Sequence, residues 1–284
     1  MADRVLLCAD DFALSPGVSR GIAELIRAGR LSATGAMVTE PDWAAQRTAL
    51  PELRSKAAIG LHLNLTTGGP LGPMPTLAPD GPFPGLQALM RLAFTGRLAA
   101  PEISAEISRQ LDQFETVANM PPDFVDGHHH VQVLPKVRAA LLDALSRRYP
   151  GHTPLLRNPG DTVRRIAARR GAGRKALLVT LLARGFGADA HRHGIATNEG
   201  FSGFSAFDRE RAFADELTTF LKAPGPRQIV MCHPGYPDQQ LAALDPLFDR
   251  RLDELGALMT YPDLDRLITR PRRNTDGRIE WLWP

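Results

Sequence analysis

The sequence predicts an α/β fold, a distorted (β/α) TIM-like barrel forming a single domain over residues 1–284. Two observations carry this. Short β-like runs alternate with helix-like stretches, and repeated alternation of this kind builds a parallel sheet covered by helices. No repeat period and no linker composition divides the chain. An open doubly wound sheet satisfies the same alternation and is the alternative. The first strand is "RVLLCA" at 4–9. A helix follows from Pro16 to Ala28, capped by Ser15, begun by Pro16 and stopped by Gly29. Further strands are "ATGAMV" at 33–38, "AAIGLHLNL" at 57–65, "FVDGHHHV" at 124–131, "PLLR" at 154–157 and "QIVMCH" at 228–233. The clearest helix spans Glu102 to Val117, where Ile103, Ile107, Leu111 and Phe114 recur at spacings of four, four and three and so share one stripe.

Two segments break the alternation. In "GGPLGPMPTLAPDGPFPG" at 68–85, eleven of eighteen residues are Gly or Pro, which rules out helix and strand. Following a strand, this loop is expected at the carboxyl-end rim, either lining a site or as a surface excursion. Residues 157–175, "RNPGDTVRRIAARRGAGRK", hold seven basic residues against one acid, Asp161, and open a basic helical segment reaching 184. Such runs are usually solvated faces; the sharper reading is contact with an anionic substrate or a membrane surface.

Hydrophobic residues make up 43% and charged residues 23%, as in soluble globular proteins, and no stretch approaches the roughly 20 apolar residues of a membrane span. The first eight residues are too short, and at Asp3 too acidic, for a secretory signal, so the expected location is cytoplasmic. Cys8 and Cys232 each end an apolar run and are expected as small buried hydrophobes, since two cysteines make no disulfide framework. A net charge of +3 and an isoelectric point near 9.1, with no aromatic residues among the basic ones, argue against nucleic acid. Oligomeric state is open, a homodimer included.

The chemistry begins with Asp10 and Asp11 at the end of the first strand. Two adjacent carboxylates repel unless a cation neutralises one, which would leave the other free to act on a proton. Helix capping is the plainer role, but Ser15 already fills that position. In "IGLHLNL", Ile59, Leu61, Leu63 and Leu65 share one face, so His62 looks the other way, into a barrel. The same alternation in "FVDGHHHV" puts Asp126, His128 and His130 on one face and His129 on the other. A lone strand histidine is usually packing. Histidines on separate strands beside paired acids instead suggest a divalent ion with open positions. His233, in "HPGY", ends a further strand at the same rim and is placed to give or take a proton.

These segments, "ADDFALSPGV", "IGLHLNLT", "VDGHHHVQ" and "CHPGY", resemble the YdjC or ChbG/HpnK carbohydrate deacetylases, a family with a distorted (β/α) barrel. The resemblance implies one divalent metal, Mg or Zn, held by Asp11, His62 and His128. It implies Asp10 as the base for the attacking water and His233 as the acid for the departing amine. Ala13 stands where the family usually has glycine, and Gly127 and Gln132 where serine and histidine are usual. "LLRNP" and "TNEGFSGF" resemble later motifs, which makes Arg157 and Asn198 candidate substrate contacts. Asp126 is a candidate partner orienting His128, with His130 beside it. The implied substrate is an N-acetylated amino sugar, either chitooligosaccharide-like or a hopanoid-type glucosamine lipid. Three other readings compete: a mononuclear non-haem iron oxidoreductase, a multinuclear metal-dependent phosphoesterase drawing on His130, His191 and His193, and a non-catalytic sugar-binding protein.

Overall fold

The computed structural model describes residues 4–169, 172–205, 211–245 and 248–283. Seven strands form one parallel sheet: β1 (Leu6–Phe12), β2 (Ala33–Ala36), β3 (Ala58–Leu63), β4 (Phe124–Gly127), β5 (Leu155–Leu156), β6 (Gly200–Ser202) and β7 (Gln228–Cys232). Their order, β5-β4-β3-β2-β1-β7-β6, is chain order read around a circle and opened between β5 and β6. A parallel bridge from Leu156 to Thr197, three residues before β6, links the two edges. The sheet is therefore a curled barrel, as the alternation predicts; β6 is a strand the sequence reading did not place.

Alternation along each strand sorts side chains into two layers. Leu7, Ala9, Ile59, Leu61, Leu63, Val125 and Val230 point outward and pack under the helices. Leu6, Cys8, Ala33, Ala58, Phe124, Ile229 and Met231 point inward and fill the barrel's lower interior. Trp281 closes on this interior, its ring edge-on to Phe124 at 6.3 Å. Both cysteines are free and buried, as expected.

The first helix, Pro16–Arg27, is capped by Ser15, whose hydroxyl accepts the Val18 N–H at 3.3 Å. One glycine of the helix and one of the facing loop set how closely the two can approach. A Cβ on Gly17 would lie 2.3 Å from the Tyr236 carbonyl, and one on Gly235 would lie 3.0 Å from the Val18 Cα. The helix therefore seats directly against "HPGY" and holds the end of β7 beside the end of β1.

The loop 68–85 folds back on the helix Ala100–Ala118. Glu106 accepts from the Leu71 N–H at 3.1 Å and Glu102 from the Thr76 N–H at 3.0 Å. Only its last residue, Gly85, reaches the cavity above the barrel, so the body of the loop is a latched surface excursion. The basic segment forms two helices, Val163–Arg169 and Gly173–Leu182. Among the described residues, no helix is long and apolar enough to cross a membrane.

Candidate metal centre

Above the carboxyl ends of the strands lies a cavity of about 580 Å³, with Asp10, Asp11, His62, His128 and His233 in its wall. β1 brings both aspartates there. Asp10 continues the inward row of Leu6 and Cys8, while Asp11 turns left-handed at φ 69° and swings its carboxylate into the same space. His62 points inward from β3, opposite the leucines, as alternation requires. Gly35 on β2 makes room for it: a Cβ there would meet Asp126 Oδ1 at 3.0 Å and His62 Nδ1 at 3.1 Å.

The predicted strand 124–131 stops at Gly127. His129 and His130 take left-handed φ values of 54° and 59°, so a tight turn replaces the pleat. The predicted two-face split of the histidine triplet therefore fails, because a pleat does not survive two consecutive left-handed residues. The turn swings His128 onto Asp11, with Nδ1 2.9 Å from Oδ1. His129 turns to Thr66, its Nδ1 2.9 Å from the hydroxyl. His130 packs edge-on to Phe204 at 5.3 Å, its Nδ1 buried without a partner among the described residues. Asp126 stands behind His62, not His128, with Oδ1 2.6 Å from Nδ1; that bond leaves Nε2 facing Asp11 Oδ1 at 3.2 Å.

Asp11, His62 and His128 offer one oxygen and two nitrogens within 4.8 Å of one another. Metal–ligand bonds of about 2.1 Å place neighbouring donors roughly 3.0–3.4 Å apart; Asp11 Oδ1 lies 3.2 Å from His62 Nε2 and, slightly closer, 2.9 Å from His128 Nδ1. The charge environment also asks for a cation. Burial alone would lower the His62 imidazole, but Asp126 and Asp10 outweigh it and hold the ring protonated up to about 10. The residues present fit a divalent ion open to the cavity.

Asp10 is not left unengaged, as the sequence reading had it. Burial would raise its carboxyl, but Arg157, grasping its two oxygens at 2.6 and 2.8 Å, and His62 hold it down at about 2. The same guanidinium lies 2.7 Å from Asp126 Oδ2. Arg157 is fully buried beneath the site and so stands as a brace for two carboxylates, in place of the expected substrate contact. Asn198 is likewise buried, bonding the backbone of Asn158 and Gly200. Neither lines the cavity.

His233 lines the cavity, as predicted. Burial pushes its imidazole down to about 4, against the pull of Asp11 and Asp10, so it is neutral near pH 7. The backbone N–H of His233 donates to Glu254 Oε2 at 2.5 Å. The sequence reading missed Arg251, whose Nη2 lies 2.6 Å from Asp11 Oδ2 and whose Nε lies 2.8 Å from Asp245 Oδ2. Arg251 and Glu254 share the buried stripe of the helix Arg250–Thr260 with Leu255 and Leu258, and charged residues on an apolar stripe were the available signal. A second group that could hold a metal, Cys8, Asp10 and Asp126, surrounds the Arg157 guanidinium, so a cation already sits there. His191 and His193 lie on or beside an outer helix, with His193 Nε2 3.7 Å from Asp143.

A model of the YdjC-like protein family matches residues 4–269. The chain belongs to the YdjC-like family. A chitooligosaccharide deacetylase of Klebsiella pneumoniae (strain 342) is 30% identical, the match covering 93% of this chain and 90% of that protein. A carbohydrate deacetylase of Mus musculus is also 30% identical, over 82% of this chain and 78% of its own. Among solved structures, an Enterococcus faecalis V583 protein described as a cellobiose-phosphate cleavage protein superposes with a TM-score of 0.70. It is 21% identical and covers 95% of this chain and 98% of its own, a likeness of fold. In this YdjC-like chain Gly127 and Gln132 belong together. A Cβ on Gly127 would lie 2.5 Å from Gln132 Oε1, so the glycine accommodates the glutamine.

Proposed function

We propose that this protein removes the N-acetyl group of an amino sugar by hydrolysis. The observation that carries the reading is the convergence of Asp11, His62 and His128 on one wall of a cavity that also presents Asp10 and His233. The names of the relatives support the same substrate class. Asp11, His62 and His128 would hold one divalent ion; two imidazoles and a carboxylate suit zinc better than magnesium, which prefers an all-oxygen octahedron. When bound, that ion supplies Lewis acidity, polarising the acetyl carbonyl and making a water acidic.

Asp10 accepts the proton of the attacking water. The Arg157 brace keeps it ionised and fixes its direction, at the cost of leaving it a weak base. His233 hands a proton to the departing nitrogen, because an amide anion is too poor a leaving group at neutral pH. Being neutral at rest, it is first charged with the proton that Asp10 took from the water, so that both residues return to their starting states as the amine leaves. Asp126 keeps His62 turned with Nε2 toward Asp11. Leu86, Met90, Leu134, Leu182 and Phe204 line much of the remaining wall, which suits an acetylated sugar bearing an apolar group as well as a bare oligosaccharide.

The test is acetate release from acetylated chitooligosaccharides and acetylated glucosamine lipids, by zinc-loaded wild type and by Asp10→Asn. The variant is expected to bind zinc normally and to lose turnover by at least about a thousandfold. Wild-type rates in Asp10→Asn would remove Asp10 as base. No acetate from any member of the panel would remove the deacetylase reading.

A further inference from the structure

The helices Val163–Arg169 and Gly173–Leu182 carry an exposed face that meets the hydrolytic cavity only at Leu178. Val163 is 65% exposed, Leu177 41%, Leu178 51% and Leu181 64%. On the second helix Arg174, Leu177, Leu178 and Leu181 follow one another at i, i+3, i+4 and i+7, so they form one stripe. Ala176 and Val179 are buried on its other side. Exposed aliphatic side chains scattered singly mean little, but Val163 of the first helix lines one surface hollow with Leu177 and Leu181 of the second, and with Leu178 beside them they form a patch that calls for a partner.

The charge around the patch says which partner. Residues 162–184 contain seven Lys or Arg and no Asp or Glu. Arg165 and Arg169 are committed to Asp161, at 3.2 and 2.7 Å. Arg164, Arg174 and Arg184 are exposed around the apolar stripe. The acids bordering the segment are engaged in turn: Asp161 as described, Asp189 by Arg138 at 3.0 Å, and Glu199 by Arg227. A second copy of this chain is a poor occupant, because a two-fold contact through the stripe brings basic rims together. An anionic bilayer answers both features, taking the leucines among its acyl chains and the arginines among its phosphates.

We propose that this face docks the protein on an anionic phospholipid membrane. Leu178 belongs both to the stripe and to the cavity wall, so docking sets the cavity mouth at the lipid surface. The docking itself does not depend on the deacetylase reading, since it is measured as lipid binding.

The experiment is co-sedimentation of the full chain with vesicles of phosphatidylcholine alone and of phosphatidylcholine with phosphatidylglycerol. Wild type is expected to partition onto the anionic vesicles only, and to be released by molar salt. The triple variant V163T/L177Q/L181Q changes exposed side chains outside the cavity wall and is expected to lower partitioning at least about tenfold. Its circular dichroism and its turnover of a soluble substrate should remain those of wild type. Replacing Arg164, Arg174 and Arg184 with Gln is expected to cost about fivefold each at low salt. The proposal fails if wild type ignores anionic vesicles or if the triple variant binds them as well as wild type. It also fails if the triple variant instead dissolves a dimer that does not bind lipid, which would assign the face to a second copy.

Discussion

At the scale of single residues, the site is built from backbone that L-amino acids adopt reluctantly. Asp11, Ala13, His129 and His130 all have positive φ, and all lie on the two turns that present carboxylate and imidazole to the cavity. Each non-glycine residue in this region costs on the order of 1 kcal/mol, which packing around the site must offset. Aspartate tolerates the conformation through its short polar side chain; alanine has no such device. Ala13 at φ 70° is therefore strain without a ligand role, and this is the position where glycine is usual in the family that the motifs resemble. Ala13→Gly is expected to stabilise the fold by up to about 1 kcal/mol, read as a rise in the urea midpoint at unchanged slope. A lower midpoint would show that the buried methyl contributes more than the turn costs. The residue types at the site were legible in the sequence because their chemistry is unusual at strand ends. The left-handed turn at 129 and 130 was not, because nothing in three histidines marks the end of a pleat.

At the scale of elements, the helix Arg250–Thr260 shows how far a buried stripe can depart from apolar. Its Glu254 is 2% exposed, and burial pushes its carboxyl up to about 7, with the His233 N–H and Arg251 opposing. The sign follows from linkage. The folded state binds this proton more tightly than the unfolded chain, so the associated stability is full below the ordinary value of 4.5 and is lost as pH rises through about 7. Glu254→Gln keeps an acceptor for the His233 backbone N–H and has no proton to lose. Its melting temperature relative to wild type is therefore expected to climb between about pH 5 and pH 8, and a difference that stays flat across this window would refute the assignment. The strands were legible as elements because period two and short apolar runs identify them. β6 was missed because three residues beginning with glycine carry too little pattern.

At the scale of the whole molecule, the barrel brings Asp11, His62 and His128 together from three strand ends, so a bound ion would tie β1, β3 and the turn after β4 to one another. A divalent ion that binds the folded state alone stabilises it by mass action, by about 2.7 kcal/mol at a hundredfold excess over Kd. Zinc is therefore expected to raise the melting temperature and a chelator to reverse the rise. His128→Ala should lose most of the shift. An equal shift in that variant would place the ion elsewhere.

The alternating α/β architecture, the inward aim of His62, the Ser15 cap and the rim position of Asp10, Asp11 and His233 are all legible in the order of residues along the chain. All of these follow from periods of two and 3.6 residues and from short-range chain chemistry. Which charges meet depends on how the barrel closes. Arg157 reaches Asp10 across 147 residues of sequence, and Arg251 reaches Asp11 across 240. Local propensity carries no record of such pairs. A buried charge takes whichever partner barrel closure brings to its side, and the cost of leaving it unpaired then holds that partner in place.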